Sequence, residues 1–285
     1  MYKYMDSHTH YAHRRFDNVR STLLPQLHEN GLAAAVEAAI SVESNQRMQE
    51  SLASYPWIYY AVGLHPTCVG VQEDADEQWE QEIRRALCHE KVVAIGETGL
   101  DFHRLSRETP EDKEVSRCLI ERQKEWFHKL ITIAREEELP LIIHTRDAHT
   151  ETLEILKKYT WKENAGVIHC FHAEEALSIA KEYIEMGFLL GIGGMVSYST
   201  ESAIATRQAL AELPLEKLLL ETDCPFLLPV DCEGSPNHSG NIPAIAKMIA
   251  QEKCISVQEV LDASIRNMSR LFGIPKEGYE EGYSL

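Results

Sequence analysis

Eight short runs rich in β-forming residues recur along the chain: KYMDSHTH, AAAVEAAIS, IYYAVGLHP, VVAIGETGLD, PLIIHTRDA, GVIHCFHA, FLLGIGG and LLLETDCP. Between them lie stretches such as EDKEVSRCLIERQKEWFHKLITIAREEE and AHTETLEILKKY, whose apolar residues return every three or four positions, as in an amphipathic helix. Runs that are apolar throughout, such as Val92 to Ile95 and Leu141 to Ile143, suit parallel strands covered on both faces. Eight strand-helix units in 285 residues predict an α/β fold closed into a (β/α)8 TIM-type barrel. No composition break divides the chain, so residues 1–275 read as a single barrel domain and residues 276–285 as a loosely held acidic tail. The polar stretch DCEGSPNHSGN, Asp231 to Asn241, reads as a long loop after the last strand.

Hydrophobic residues at 44% and charged residues at 26% supply a large core and exclude a disordered or fibrous protein. No apolar run approaches the roughly 18 residues needed to span a bilayer, and the N-terminal segment lacks the apolar stretch of an export signal. Seven scattered cysteines without a CxxC pair do not form a disulfide framework. These features predict a cytoplasmic location, no membrane association and no obligate protein partner. The net charge of −17 argues against a protein that coats a polyanion. A hydrolase of phosphodiesters stays open, because bound divalent ions supply positive charge locally.

Where the predicted strands run out, ionisable residues collect. His8 and His10 are one residue apart and point to the same face, where they could grip one ion. Glu97 follows VVAIG, His144 follows PLII, His169 follows GVI, and Asp223 follows LLLET. Barrel sites form at the C-terminal ends of the strands, so these six residues are expected to converge there. Ionisable groups beside apolar strands are costly unless they coordinate a metal or pair with one another. Any one of them alone reads equally well as a satisfied core residue; six in register read as a metal-dependent hydrolase.

The segments DSHTH, GLHP (Gly63 to Pro66), GETGLD (Gly96 to Asp101), PLIIHTRDA, IHCF, ETDCPFLLP (Glu221 to Pro229) and RNMSRLFG (Arg266 to Gly273) together resemble the TatD-type metal-dependent hydrolases, described as deoxyribonucleases. The resemblance implies a distorted (β/α)8 barrel with two divalent metal ions, Mg, Mn or Zn. It implies that His8, His10 and Asp223 hold one ion, that His144 and His169 hold the other, and that Glu97 bridges them. It makes Asp223 and Glu97 the catalytic carboxylates, with Asp223 accepting a proton from the attacking water. DNA is the implied substrate, with RNA a further candidate, and cleavage is expected at single-stranded ends.

His65 and Arg146 are expected to bind substrate, since His65 follows a strand and Arg146 lies two positions past His144, facing the same mouth. The competing readings are a loop-capping role for His65 and a salt bridge from Arg146 to Asp101 or Asp147. His103 and His172 also fall near the mouth. GIGG, Gly191 to Gly194, reads as close packing, because no GK[ST] follows it. Cys170 and Cys224 read as packing residues, and the acidic run EDADEQWEQE as a solvated helix start. The segment SPNHSGNIP departs from the Arg-Asn-Glu-Pro-like stretch usual in the family, with Asn237 the nearest match. A hydrolase of a small amide, lactone or phosphate ester remains an alternative, because one barrel hosts many chemistries.

Overall fold

The computed structural model describes residues 2–69, 78–105 and 110–275. The acidic tail, and the start of the acidic run ahead of residue 78, lie outside the described residues. All eight expected strands are present: β1 (Tyr4–Thr9), β2 (Leu32–Ala38), β3 (Ile58–Val62), β4 (Val92–Asp101), β5 (Leu141–Arg146), β6 (Gly166–Ile168), β7 (Phe188–Ile192) and β8 (Leu218–Leu220). They pair in sequence order, each parallel to the next, in a nearly closed barrel. Helices α1 (Arg20–Glu29), α2 (Val42–Ser51), α3 (Gln78–Ala86), α4 (Pro110–Glu136), α5 (His149–Leu156), α6 (Ala176–Glu185), α7 (Glu201–Leu210), α8 (Ile242–Lys253) and α9 (Val257–Phe272) complete the frame. No helix among the described residues is long and apolar enough to cross a membrane.

Each strand carries apolar residues on both faces. Met5, Val36, Ala61, Ala94, Ile142, Val167, Leu189 and Leu219 fill the barrel interior, while Ile95, Leu141, Ile143, Ile168 and Leu190 pack under the helices. The interior cluster also includes Ile265, Met268, Leu271 and Phe272 of α9. Local signals set the bounds of that helix. Ser256 and Glu259 form a reciprocal capping box at its start, and Gly273 ends it in the left-handed conformation at φ 66°.

The seam between β8 and β1 departs from the ladder found elsewhere. One isolated bridge joins Thr9 to Cys224, with main-chain bonds from the His10 N–H to the Cys224 carbonyl and from the Asp223 N–H to the His8 carbonyl, and side chains add further connections. The Leu220 N–H donates to the Ser264 hydroxyl of α9 at 2.9 Å, and the Ser7 hydroxyl donates to the Leu220 carbonyl at 3.1 Å. Asp6 accepts from the Thr222 N–H at 3.0 Å, the Thr222 hydroxyl at 2.6 Å and the Ser239 hydroxyl at 2.7 Å. Asn267 of α9 donates to the Leu215 and Leu218 carbonyls. The seam is buried, so every main-chain group left without a strand partner needs one from a side chain.

Two ladders slip where site residues stand. Between Asp6 and Thr9, β1 advances three residues while β2 advances two; between Ile95 and Thr98, β4 does the same against β5. Strict alternation would send Glu97 outward with Ile95. An extra residue reverses the parity and turns Glu97 into the mouth.

Ser264→Ala is expected to leave the buried Leu220 N–H without an acceptor and to lower unfolding free energy by about 1–3 kcal/mol. Urea denaturation measures it, and an unchanged midpoint would show that the seam does not depend on this bond.

Candidate metal centre

The six expected donors meet at the C-terminal mouth of the barrel, drawn from β1 and the residue after it, β4, β5, the residue after β6 and the loop after β8. Glu97 stands between two groups of imidazoles. Its Oε2 lies 3.3 Å from His8 Nε2 and 3.6 Å from His10 Nε2. Its Oε1 lies 2.8 Å from His144 Nδ1, 3.4 Å from His65 Nε2 and 3.8 Å from His169 Nε2. Asp223 Oδ1 is 3.2 Å from His10 Nε2, 3.8 Å from His8 Nε2 and 3.9 Å from His169 Nε2. Among the described residues, His8, His10 and Glu97 bring donor atoms within 4.8 Å of one another, as do Glu97, His144 and His169, and His8, His169 and Asp223.

A second layer holds three of these rings by their far nitrogens. His10 Nδ1 donates to the Ala38 carbonyl at 2.8 Å, which leaves Nε2 as the lone pair turned inward. His144 Nε2 lies 3.1 Å from Asp101 Oδ2, so a proton there leaves Nδ1 free toward Glu97. His169 Nδ1 is 2.9 Å from Glu221 Oε1, an ion-pair distance with poor alignment for a hydrogen bond. With protons on the far nitrogens, the near nitrogens present lone pairs to one another; His8 Nε2 and His10 Nε2 are only 3.1 Å apart. Imidazole lone pairs and ionised carboxylates converging in this way fit divalent cations.

In the metal-free chain protons occupy the near nitrogens of His10 and His169, and a cation would displace them. Burial alone would raise the Glu97 pKa, but His65, His8 and His144 hold it well below the usual carboxylate range. Asp223 is likewise held low against its burial by His10, His169 and His8. Burial works against protonation of His10, yet Asp223, Glu97 and Glu37 outweigh it and push its pKa up to about 9. Against the same burial cost, Glu221, Glu97 and Asp223 push His169 up to about 10. His8 moves the other way, lowered by burial and by the His169 charge.

The neighbouring residues divide between the expected roles. His65 takes the loop-capping role, its Nδ1 accepting from the Thr67 N–H at the start of the turn Pro66–Cys68, while its Nε2 faces Glu97. Burial and His144 lower its pKa, so it faces the mouth as a neutral ring with Nε2–H available to donate. Arg146 is exposed beside His144 and makes no ion pair among the described residues. Its two expected acidic partners are engaged elsewhere, Asp101 with His144 and Asp147 with His103 at 2.8 Å. His172 is held by the Cys170 carbonyl at 2.8 Å and does not reach the cluster. Asn237 is buried and ties the Thr222 and Phe226 carbonyls, so it shapes the loop after β8 and does not line the mouth.

GIGG is packing: a Cβ at Gly191 would stand 2.2 Å from Glu221 Oε2, and one at Gly194 2.0 Å from the Leu227 carbonyl oxygen. For Cys170 the alternation argument does not apply, because β6 ends at Ile168 and Cys170 has φ 49°. Its N–H donates to Glu221, and burial keeps its thiol protonated. Cys224 is fully buried at the seam. Asp101 and Glu221 escaped the sequence reading as site residues. Their signals were present, each carboxylate standing in the same short motif as a donor, Asp101 with Glu97 in GETGLD and Glu221 with Asp223 in ETDCP.

A parallel barrel carrying this donor set at its mouth has the architecture of a metal-dependent hydrolase. The chain belongs to the TatD related DNase family, whose sequence profile matches residues 5–273. It is 34% identical over 273 residues to YabD, an uncharacterized metal-dependent hydrolase of Bacillus subtilis, covering 94% of this chain and 98% of that protein. It is 31% identical over 273 residues to a protein of Citrobacter rodentium named 3'-5' ssDNA/RNA exonuclease TatD, covering 90% of this chain and 96% of the relative. The crystal structure of YjjV, a TatD homolog from Escherichia coli, superposes with a TM-score of 0.82 at 27% identity, covering 95% of this chain and 98% of that one.

The raised His10 and His169 pKa values set a pH dependence for the metal-free chain. Both groups bind protons more tightly folded than unfolded, where the ordinary value is 6.5. Their stabilisation is full below about pH 6.5 and is lost as pH rises through 9 to 10. Urea midpoints of chelated protein at pH 6.5, 8 and 9.5 should therefore fall in order. A constant or rising series would mean that both rings are neutral in the folded chain.

Proposed function

We propose that residues 1–275 form a phosphodiesterase that removes nucleotides from single-stranded ends of DNA, and of RNA, using two divalent ions, Mg, Mn or Zn. The division of the two Glu97 oxygens between separate groups of histidines carries this reading. His8, His10 and Asp223 would hold one ion, His144 and His169 the other, and Glu97 both. Ions held there would polarise a phosphoryl oxygen and lower the pKa of water. The exonuclease name of the Citrobacter relative motivates the choice of substrate and of chain ends. Seven free cysteines suit a reducing, cytoplasmic compartment.

The chain's own groups supply the remaining chemistry. Asp223, ionised near neutral pH, would orient an attacking water and take its proton. His65 offers a neutral Nε2–H donor toward a phosphoryl oxygen. Arg146 offers a guanidinium fork to a phosphate at the mouth, unspent on any carboxylate among the described residues. With ions bound, Asp101 and Glu221 would hold protons on the far nitrogens of His144 and His169 and so leave the near ones to the metals.

Chelation is expected to abolish hydrolysis of single-stranded oligonucleotides, and addition of Mg, Mn or Zn to restore it, with a higher melting temperature in the loaded protein. Double-stranded DNA, RNA, small esters and lactones assayed alongside define the substrate class. Full activity without metal would end the proposal, and turnover confined to lactones or amides would replace the phosphodiester with a small-molecule substrate.

Arg146→Ala is expected to keep metal content and melting temperature while slowing phosphodiester hydrolysis about 10- to 100-fold, or roughly 1.4–2.7 kcal/mol. Arg146→Lys should recover part of that loss, because an ammonium keeps the charge without the two-pronged geometry. An unchanged rate in a stable Ala variant would remove Arg146 from the site.

A further inference from the structure

A cleft of about 310 Å³ opens on the far side of His10 from the donor cluster, with Arg14, Ala38, Ser44, Arg47 and Phe226 among its walls. It shares a wall with the metal centre. His10 turns Nε2 toward Asp223 and is pinned through Nδ1 to Ala38, which also lines the cleft. The volume lies at the lower end of the roughly 300–1,000 Å³ typical of small-ligand sites.

Two features of this rim point to a ligand. Phe226 leaves 39% of its surface exposed, unusual for a phenylalanine in a loop that folds back over a barrel. Its ring centroid lies 5.5 Å from that of His13, and the Arg15 guanidinium carbon sits 5.3 Å from it. The second feature is unpaired charge. Arg20 and Arg47 both bind Asp17, whereas Arg14 and Arg15 have no acidic partner among the described residues. In a chain of 45 acids and 28 bases, two adjacent unpaired guanidiniums beside an exposed ring are a local reversal of the overall charge. Two carboxylates also line the cleft, Glu43 on α2 and the buried Glu37, which accepts from the Tyr11 and Ala12 N–H groups. An aromatic face next to cations is the combination that holds single-stranded nucleic acid without regard to sequence, since every base has a π-face and every linkage a charge.

We propose that this cleft is a subsite for the nucleotide next to the scissile phosphate. Its base stacks on Phe226, and its own phosphate is held by Arg14 and Arg15. This inference rests on the nuclease reading and deepens it, because it assigns the hold on the strand to groups outside the metal centre.

The test uses the full metal-loaded chain and two readouts. The first is fluorescence anisotropy with a labelled, phosphorothioate-linked oligothymidylate that resists cleavage. The second is kcat/KM on a cleavable oligothymidylate and on methyl p-nitrophenyl phosphate, a diester with no base. Phe226→Ala is expected to weaken binding about 10-fold, and to lower kcat/KM on the oligonucleotide about 10-fold more than on the small diester. Phe226→Tyr should keep both. The Arg14→Ala, Arg15→Ala double variant should weaken binding and flatten its salt dependence by roughly 0.7 in log–log slope for each phosphate that is no longer neutralised. Wild-type affinity in Phe226→Ala overturns the proposal. Phe226-dependent binding without cleavage of any oligonucleotide would keep the subsite and remove the nuclease reading. Cleavage indifferent to Phe226, Arg14 and Arg15 would do the reverse, and a chain that neither binds nor cleaves oligonucleotides loses both.

Discussion

Glu97 is a buried carboxylate, 3% exposed, with His8, His10, His65, His144 and His169 arranged around its two oxygens. An isolated charge at that depth would cost several kcal/mol or give up its charge. Everything around the mouth answers to that cost. The rings must face Glu97 with the correct nitrogen, so their other nitrogens are held by Ala38, Asp101 and Glu221. Glu221 in turn needs space, which the missing side chain of Gly191 leaves. The cluster is thus a set of mutually dependent placements, in which protons and cations compete for the same lone pairs.

The seam between β8 and β1 is the other place where the fold yields regularity to the site. Strands that end early at β6 and β8 let the chain turn just where His169 and Asp223 stand, and Asp223 takes φ 53° to do so. The main-chain ladder is cut short there to the bonds around Thr9 and Cys224, and hydroxyls and carboxylates of Asp6, Ser7, Thr222, Ser239 and Ser264 supplement it. These bonds explain why α9, far along the chain, belongs to the barrel: its polar face closes the seam while its apolar end plugs the interior.

Regular elements were legible in the sequence wherever two-residue alternation holds. On β5 it puts His144 and Arg146 on one side, and that strand pairs with β4 without a slip from Ile143 to Arg146. It does not explain Glu97, because a one-residue slip in β4 reverses the parity, and no residue type announces that slip. The roles of Asp101 and Glu221 were equally hidden. Each acts through a histidine on a different strand, so only the packing of β4 against β5, and of the β8 loop against the end of β6, brings the two side chains together.

The sequence by itself determined the alternation of strand and helix, the parallel order that follows from it, and the set of donors gathered at strand ends. Those properties depend on local periodicity and on the rule that strand ends of a barrel share one face. Tertiary structure alone decided which nitrogen of each ring points inward and that Glu97 divides its oxygens between two groups. It also decided that Arg146 stays unpaired because Asp101 and Asp147 are taken, and that Arg15 lies over the ring of Phe226. Such outcomes turn on distances of a few tenths of an ångström between residues remote in the chain, and the order of amino acids carries that information only once the barrel has closed.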